Sequence, residues 1–269
     1  MNSKYEINTK ENREFLKASC EELLNFGHRF PSPNGGSYYL GDDGTPWKDR
    51  NRETWITCRM AHVYSLGLML GHEGSEELAD AALKGLKGEL HDEKNGGWYA
   101  GVTPEGDIVP NKQCYAHAFV ILAASSALTA GRPGAKELLE EALAVYDRHF
   151  WNEEEGLACD TWNTEFTVLD DYRGLNANMH TVEAFLAAGD VTGDKKYHIR
   201  AGRIIDHVIQ WAEDNSWRIP EHFTKEWVAD LDCNRDRPDD PFKPYGATPG
   251  HGIEWARLIT QWTLANCGE

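Results

Sequence analysis

The sequence predicts an all-α protein, a toroid of stacked helical hairpins. Three observations lead to this fold class. Apolar residues recur with a spacing of about 3.6 along most of the chain. Almost no segment alternates long enough to form a core strand. A glycine-bearing, aromatic-rich pattern returns about every sixty residues, and such a period is typical of repeated helical hairpins.

Eight segments have the helical spacing, with caps and breakers between them. The predicted helices span residues 10–26, 53–71, 75–90, 113–130, 134–150, 174–190, 194–213 and 251–266. No Pro/Ser-rich linker divides the chain, so residues 1–269 are expected to form one domain.

The internal repeat is centred on glycines that precede every second predicted helix. Asn34-Gly35-Gly36-Ser37-Tyr38 returns as Asn95-Gly96-Gly97-Trp98-Tyr99, and more loosely around Gly156. A single hairpin cannot bury its own apolar face, so neighbouring hairpins must stack. Inner helices around a central cleft, with outer helices behind them, are the expected result.

Composition indicates a small, uncharged partner. The chain has 27 Lys and Arg against 44 Asp and Glu, a net charge of −17, which argues against nucleic acid and anionic membrane. Ten Trp, ten Tyr and nine Phe exceed the needs of packing and favour a carbohydrate cleft. The beginning of the sequence has no apolar core of the signal-peptide kind, and the six cysteines form no Cys-x-x-Cys pair. We therefore expect a cytoplasmic protein with free thiols.

The predicted inner helices carry polar and aromatic residues that a pure core would not contain. Trp55 and Arg59 are four residues apart and share a helix face, as do Asn176 and His180. Tyr115 begins the helix between these two. These five residues are candidates for binding a polyol, since guanidinium, amide and imidazole groups donate or accept hydrogen bonds toward hydroxyls. Arg59 in a buried ion pair and His180 as a satisfied core histidine are the structural alternatives.

His251 and Glu254 are the strongest candidates for chemistry. Pro249 and Gly250 predict a turn, so His251 falls in the first turn of a helix with Glu254 on the same face. The positive end of the helix dipole disfavours imidazolium, which leaves a neutral base. Capping of the helix by Glu254, with His251 merely packed, is an equally good interpretation. A metal site is weakly indicated, because His-x-x-Glu occurs twice without further ligands.

The sequence resembles the N-acylglucosamine 2-epimerase superfamily, and most closely its branch of mannose and sulfoquinovose isomerases. The resemblance covers essentially the whole chain. Its motifs are Trp55-Ile56-Thr57-Cys58-Arg59-Met60-Ala61-His62, Gly96-Gly97-Trp98-Tyr99, the segment from Asp171 to Phe185, and the segment from Thr248 to Trp255.

The resemblance implies an (α/α)6 barrel and metal-free, cofactor-free chemistry on a reducing sugar. It implies isomerisation of aldose to ketose, D-mannose to D-fructose being the best match, through a cis-enediol. His251, Glu254 and His180 are then the catalytic residues, with His251 transferring a proton and Glu254 orienting it. Trp55, Arg59, Tyr115 and Asn176 are the implied substrate-binding residues.

Two departures from the family pattern affect these expectations. An arginine of the sulfoquinovose isomerases falls at Pro241, so this chain is expected to prefer a neutral sugar. The resemblance also implies further hairpins with a second catalytic histidine, whereas this sequence predicts about eight helices. A chain truncated in this way would expose inner apolar faces and is expected to self-associate, as a homo-oligomer for example.

Three other functions are compatible with the same residues. A 2-epimerase returns the proton to the same carbon and could use the identical site. A truncated remnant that only binds sugar or protein would explain the short chain. A glycoside hydrolase is disfavoured, because it needs an Asp/Glu pair across the cleft and the polar stripe is rich in histidine.

Overall fold

The computed structural model describes residues 3–266, and its eight α-helices confirm the predicted pattern. Cys267 lies outside the described residues. A short 3-10 helix, Ser3–Tyr5, precedes them. The α-helices are α1 (Lys10–Gly27), α2 (Thr54–Met69), α3 (Ser75–Leu86), α4 (Cys114–Thr129), α5 (Ala135–His149), α6 (Leu175–Thr192), α7 (Lys195–Asp214) and α8 (Pro249–Asn266). Pro249 and Gly250 belong to α8 itself rather than to a turn before it, in keeping with the preference of proline for the first helical position.

Three tight hairpins form the body of the protein. Short turns join α2 to α3, α4 to α5, and α6 to α7. The inner helices α2, α4 and α6 pack side by side, α3, α5 and α7 lie behind them, and α8 follows beside α6. We call α2, α4, α6 and α8 the inner helices. The core contains residues of all three hairpins, among them Tyr64, Tyr146 and Phe185.

Long connectors lead to each inner helix, spanning residues 28–53, 87–113, 150–174 and 215–248. They carry eleven strands of two or three residues, too short to show alternation in the sequence. The strands are β1 (Tyr39–Leu40), β2 (Pro46–Trp47), β3 (Arg52–Glu53), β4 (Gly101–Val102), β5 (Ile108–Val109), β6 (Asn111–Gln113), β7 (Trp151–Asn152), β8 (Leu157–Ala158), β9 (Thr161–Asn163), β10 (Arg173–Gly174) and β11 (His222–Phe223).

Three of the inner helices, α2, α4 and α6, are each tied to the connector that leads to the next inner helix. The strands β3, β6 and β10, directly before α2, α4 and α6, pair antiparallel with β4, β9 and β11. The first residue of each of these helices donates its backbone N–H to a carbonyl of that next connector. The acceptors are Ala100 for α2 (3.0 Å), Asp160 for α4 (2.8 Å) and Glu221 for α6 (3.0 Å). Ala100, Asp160 and Glu221 therefore occupy equivalent positions of the repeat.

A second hydrogen bond also repeats, at the fourth residue of three inner helices. Thr57, His117 and Asn178 each accept a backbone N–H from their own connector, over 3.0, 3.1 and 2.9 Å. The donors Ser37 and Trp98 directly follow the repeat glycines Gly36 and Gly97, and the donor Ala158 comes two residues after Gly156. At Gly97, with φ +71°, a Cβ would lie 2.7 Å from the His117 ring, so this close approach requires glycine. The sixty-residue repeat is thus confirmed: in each copy a backbone N–H of the connector donates to the fourth residue of the inner helix that follows.

No helix among the described residues is long and apolar enough to cross a membrane.

Candidate active site

A cavity of about 360 Å³ lies where α2, α4 and α6 begin. The second residue of each helix, Trp55, Tyr115 and Asn176, lines it. The helix N-termini therefore border the cavity, and their positive ends favour negative charge that develops there. The connectors complete its wall with Glu53, Ala100, Val109, Asn111, Gln113, Asp160, Thr161, Asp170, Tyr172, Gly174, Phe242 and Lys243.

Trp55 is the centre of an aromatic wall on one side of the cavity. Its ring lies edge to face with Tyr39, Tyr115 and Phe242, at centroid distances of 6.2, 5.9 and 6.1 Å. The Trp55 indole donates to the Glu53 carboxylate, which also accepts from the Tyr39 hydroxyl over 2.8 Å. Aromatic faces beside fixed acceptors are suited to the C–H and O–H surfaces of a sugar.

Tyr115 joins this cavity to a second group of predicted residues. Arg59 donates to the Tyr115 hydroxyl over 3.2 Å, and the His180 ring lies 5.1 Å from the Tyr115 ring. Burial raises the pKa of Tyr115, so the phenol remains neutral. Arg59 is exposed and makes no ion pair with a carboxylate of the described chain, so the buried ion pair is wrong as an interpretation. Its guanidinium, stacked 4.7 Å from the Phe119 ring, remains available to a ligand.

His180 belongs to a chain of charged contacts between α6 and α8. Its Nδ1 lies 3.1 Å from one oxygen of Glu183, and Arg257 donates to the other oxygen over 2.7 Å. Arg257 also lies 3.5 Å from Glu254. Burial would raise the pKa of Glu183, but hydrogen bonds from His180 and Arg257 lower it to about 2. The ionised Glu183 thus binds Nδ1 of His180 and leaves Nε2 for a ligand.

His251 lies in the first turn of α8, as predicted, but its carboxylate partner is Glu221. His251 Nδ1 is 2.9 Å from Glu221 Oε2, and Glu221 Oε1 accepts the Thr248 N–H over 3.2 Å. Glu254, one turn further along α8, contacts Arg257 instead. The prediction that Glu254 orients His251 is therefore wrong, because another carboxylate already binds Nδ1.

The pKa of His251 also shifts in the opposite direction from the prediction. The hydrogen bond to Glu221 raises the pKa of His251 above its ordinary value; burial opposes this, while the charges of Glu221 and Glu254 add to it. The helix dipole was expected to keep the imidazole neutral. A carboxylate in direct contact outweighs that dipole, because an opposite charge at this distance stabilises the charged form more strongly.

Lys243 brings a cation to the cavity that the sequence did not predict. Its ammonium lies 3.6 Å from the centroid of the Tyr172 ring. Burial raises the pKa of the neighbouring Asp160, and the positive charge of Lys243 opposes that rise. Against one cation the cavity wall carries three carboxylates, Glu53, Asp160 and Asp170. The wall is therefore net negative in spite of Lys243.

One set of described residues has the spacing to hold a metal ion. His180, Glu183 and Glu254 offer ligand atoms within 4.8 Å of one another. Arg257 contacts both carboxylates of this set, so a guanidinium already offsets part of their negative charge.

The structure thus gathers most of the predicted residues into two adjoining groups. Trp55, Tyr115 and Asn176 line the cavity, while Arg59, His180 and Glu254 stand at the sixth position of α2, α6 and α8, one turn below. Sequence reasoning missed Glu221, Arg257, Asp160 and Lys243. Of these, Arg257 follows Glu254 by three residues and could have been found from that spacing. The other three lie in connectors, where no helical period reports on side-chain direction.

The sequence matches the profile of the family N-acylglucosamine 2-epimerase (GlcNAc 2-epimerase) over residues 35–269. The chain belongs to this family, and the resemblance read from the motifs is confirmed.

The D-mannose isomerase of Thermobifida fusca is 43% identical over 249 residues, which cover 92% of this chain and 61% of the relative. That of Pseudomonas cannabina pv. alisalensis is 39% identical over 254 residues, covering 94% and 61%. The chain thus spans about three fifths of the length of these curated relatives.

The solved structures of the family confirm the fold class. A crystal structure of D-mannose isomerase superposes with a TM-score of 0.88 at 29% identity, covering 97% of this chain and 67% of that one. Cellobiose 2-epimerase from Bacillus thermoamylovorans B4167 superposes with a TM-score of 0.81 at 21% identity, covering 96% and 68%, which shows a shared fold alone. The described helices are therefore part of an (α/α)6-barrel architecture.

Proposed function

We propose that this chain carries the site of an aldose–ketose isomerase that interconverts D-mannose and D-fructose. The observation that carries the proposal is the His251 imidazole, whose Nδ1 is bound by Glu221 while Nε2 has no hydrogen bond within residues 3–266. An imidazole held at one nitrogen is equipped to move a proton at the other. The two curated relatives quoted above are named D-mannose isomerases, which supports mannose as the substrate.

The proposed reaction moves one proton between neighbouring carbons of the open-chain sugar. His251 Nε2 removes the proton from C2, and the electron pair forms the C1–C2 double bond as the carbonyl oxygen at C1 gains a proton. The resulting cis-enediol loses the proton of its C2 hydroxyl and gains one at C1, which gives the ketose. Arg59 and His180 stabilise the negative charge that develops on the oxygens.

The cavity supports a neutral sugar as the ligand. Asn176 and the carboxylates of Glu53 and Asp160 provide acceptors for hydroxyl groups, and Trp55 provides an apolar wall. A phosphorylated or sulfonated sugar would meet a wall with three carboxylates and the single cation Lys243. Like charges in a partly desolvated cavity disfavour such a ligand.

We also propose that the reaction needs no metal or other cofactor, because Glu183 and Glu254 already have Arg257 as their cationic partner. Activity should survive EDTA. Loss of activity in EDTA and its recovery with one divalent ion would contradict this. A cytoplasmic location and a homo-oligomeric state stay predictions.

The decisive experiment is product analysis on D-mannose with the 269-residue chain. In D₂O, an enediol route with an exchanging base should place deuterium at C1 of the fructose formed. Formation of glucose from mannose would identify a 2-epimerase instead. A chain that binds mannose without converting it would identify a sugar-binding remnant.

A pair of variants distinguishes the base from a binding residue. His251→Asn should lower turnover by about 10² to 10⁴ with little change in sugar affinity, because only the proton transfer is lost. Arg59→Ala should weaken mannose binding as well, because a positioning group acts before the proton moves. Near-normal turnover of His251→Asn would exclude His251 as the base.

A further inference from the structure

We propose that Glu221 is a positioning residue for His251: its carboxylate holds the Nδ1–H tautomer and directs Nε2 toward the substrate. The role of this pair in sugar isomerisation rests on the proposed function. The contact between the two side chains, and its effect on the His251 tautomer, does not. Glu221 lies thirty residues before His251, in the connector between α7 and α8, and no sequence motif joins them.

The repeat places Glu221 where a cleft residue is expected. Ala100, Asp160 and Glu221 are equivalent, because each accepts the first N–H of an inner helix through its backbone carbonyl. Ala100 and Asp160 both line the cavity. Glu221 is the third member of this series, and its side chain reaches the beginning of α8. The repeated backbone hydrogen bonds thus indicate a functional role for the Glu221 side chain, although no sequence motif marks it.

Glu221 is fully engaged and well ordered by its surroundings. It is only 6% exposed, and its two carboxylate oxygens bind His251 Nδ1 and the Thr248 amide. Its backbone carbonyl binds Leu175, the first residue of α6. One residue therefore fixes the start of α6, which carries Asn176, relative to the start of α8, which carries His251. A substrate-binding helix and the helix of the base are held in register through Glu221.

The adjoining strand residue supports the same arrangement from the other face. His222 in β11 contacts the Tyr172 hydroxyl through Nδ1 over 2.8 Å and the Pro244 carbonyl through Nε2 over 2.7 Å. These contacts link Pro244, close before α8, through His222 to the connector that contains Tyr172. Glu221 is thus carried by a backbone segment that is anchored on both sides.

The charges around His251 make the proposal measurable. Glu221 faces it from the connector and Glu254 from its own helix, and both stabilise the imidazolium. Glu254 also contacts Arg257, whose positive charge offsets part of the effect of Glu254 on His251. Loss of the Glu221 charge should therefore lower the pKa of His251 toward its ordinary value.

The test is a titration of the protein labelled with ¹⁵N-histidine, followed by NMR. His251→Asn identifies the His251 signals. At high pH, wild-type His251 should be the Nδ1–H tautomer, and its midpoint should lie above pH 6.5. Glu221→Gln should lower the midpoint and mix the two tautomers. Glu226→Gln, an exposed glutamate in the same connector, is the matched control and should change neither.

Two outcomes overturn the proposal. The first is an unchanged midpoint and tautomer in folded Glu221→Gln. The second, which needs no Glu221 variant, is wild-type His251 protonated at Nε2 in its neutral form. A Gln variant that fails to fold leaves this second measurement decisive.

Kinetics then separate positioning from mere structure. A base must be neutral, so a raised His251 pKa places the acid limb of the pH profile of kcat/KM above pH 6.5. Glu221→Gln should shift that limb to lower pH and reduce kcat by up to about 100-fold, with a smaller change in KM. A KM effect alone would contradict a positioning role. If the wild-type chain converts no mannose, the proposed function fails while the NMR titration still decides on Glu221.

Discussion

The two middle inner helices and the two at the ends are stabilised in different ways. α4 packs between α2 and α6, and most of its residues are buried. In the part of the chain that the structure describes, α8 buries only Trp255 and Leu258. Val63 and Leu66 of α2 are exposed, as is Leu70, the residue that caps its end. Packing therefore decides the position of α4 and α6 but not that of α8.

Polar contacts add to packing at the end helices, and at α8 they are the larger part. Arg59 of α2 is joined to Tyr115 of α4, while Arg257 and His251 of α8 are joined to Glu183 and Glu221. The residues proposed to bind sugar on α4 and α6 are thus held by the core, and those on α8 by hydrogen bonds. Mutations in the two regions should therefore affect different properties.

The largest effect on stability should come from Phe185→Ala in α6. Phe185 is fully buried against Tyr146, Trp151 and Tyr197. Its removal leaves a cavity and should cost about 3 to 5 kcal/mol of unfolding free energy, measured in urea. Ile253→Ala in α8, at a side chain 75% exposed, is the control and should cost less than about 0.5 kcal/mol. Equal losses would show that α8 is packed as closely as α6.

A smaller loss should follow when the repeated anchors are cut. Asn178 of α6 accepts the Ala158 N–H and donates to the carbonyls of Ala158 and Gly174. Asn178→Leu leaves these buried groups unpaired and should cost about 2 to 3 kcal/mol. Thr57→Val of α2 removes one acceptor, for the Ser37 N–H, and should cost about 1 kcal/mol. Urea unfolding of both variants measures the difference, and a larger loss at Thr57 would contradict this ranking.

The helices were predictable from sequence, whereas the strands between them were not. The period of 3.6 extends over three or more turns in each helix, which makes it visible in the sequence. Strands such as Arg173–Gly174 have two residues and cannot show an alternation. Arg173–Gly174 forms a strand because it pairs with His222–Phe223, which is distant along the chain. Such non-local pairing leaves no local pattern.

The same distinction applies to the candidate site. Trp55 with Arg59, and Asn176 with His180, were found because residues four apart share a helix face. His251 was found from its helix start, but its partner was misassigned to Glu254, which also shares the helix. Local spacing favours partners within one helix. Only the packing of the connector shows that Glu221 reaches His251 first.

Acid should weaken the contact between α6 and α8. Glu183 has its pKa lowered from 4.5 to about 2, with burial opposed by His180 and Arg257. A lowered carboxyl pKa contributes stability above the unfolded value, and that contribution is lost as pH falls from about 4.5 toward 2. The difference in unfolding free energy between wild type and Glu183→Gln should therefore shrink over this range. Arg257→Met should cost at most about 1 kcal/mol at neutral pH, because Arg257 is half exposed.

The smallest change in stability, but a clear change in surface behaviour, should come from Leu66→Lys on α2. Val63, Leu66 and Leu70 lie on one face of the helix and are exposed, so they form an apolar strip that a hydrophobic dye can contact.

Lysine at position 66 should reduce dye fluorescence and any self-association seen by light scattering. The unfolding free energy should change by less than about 0.5 kcal/mol, because the side chain is replaced at the surface. Ile199→Lys is the matched control, since Ile199 is exposed on α7, away from the inner helices. An equal fall in fluorescence for both variants would show that the dye does not distinguish the end helix α2 from the rest of the surface.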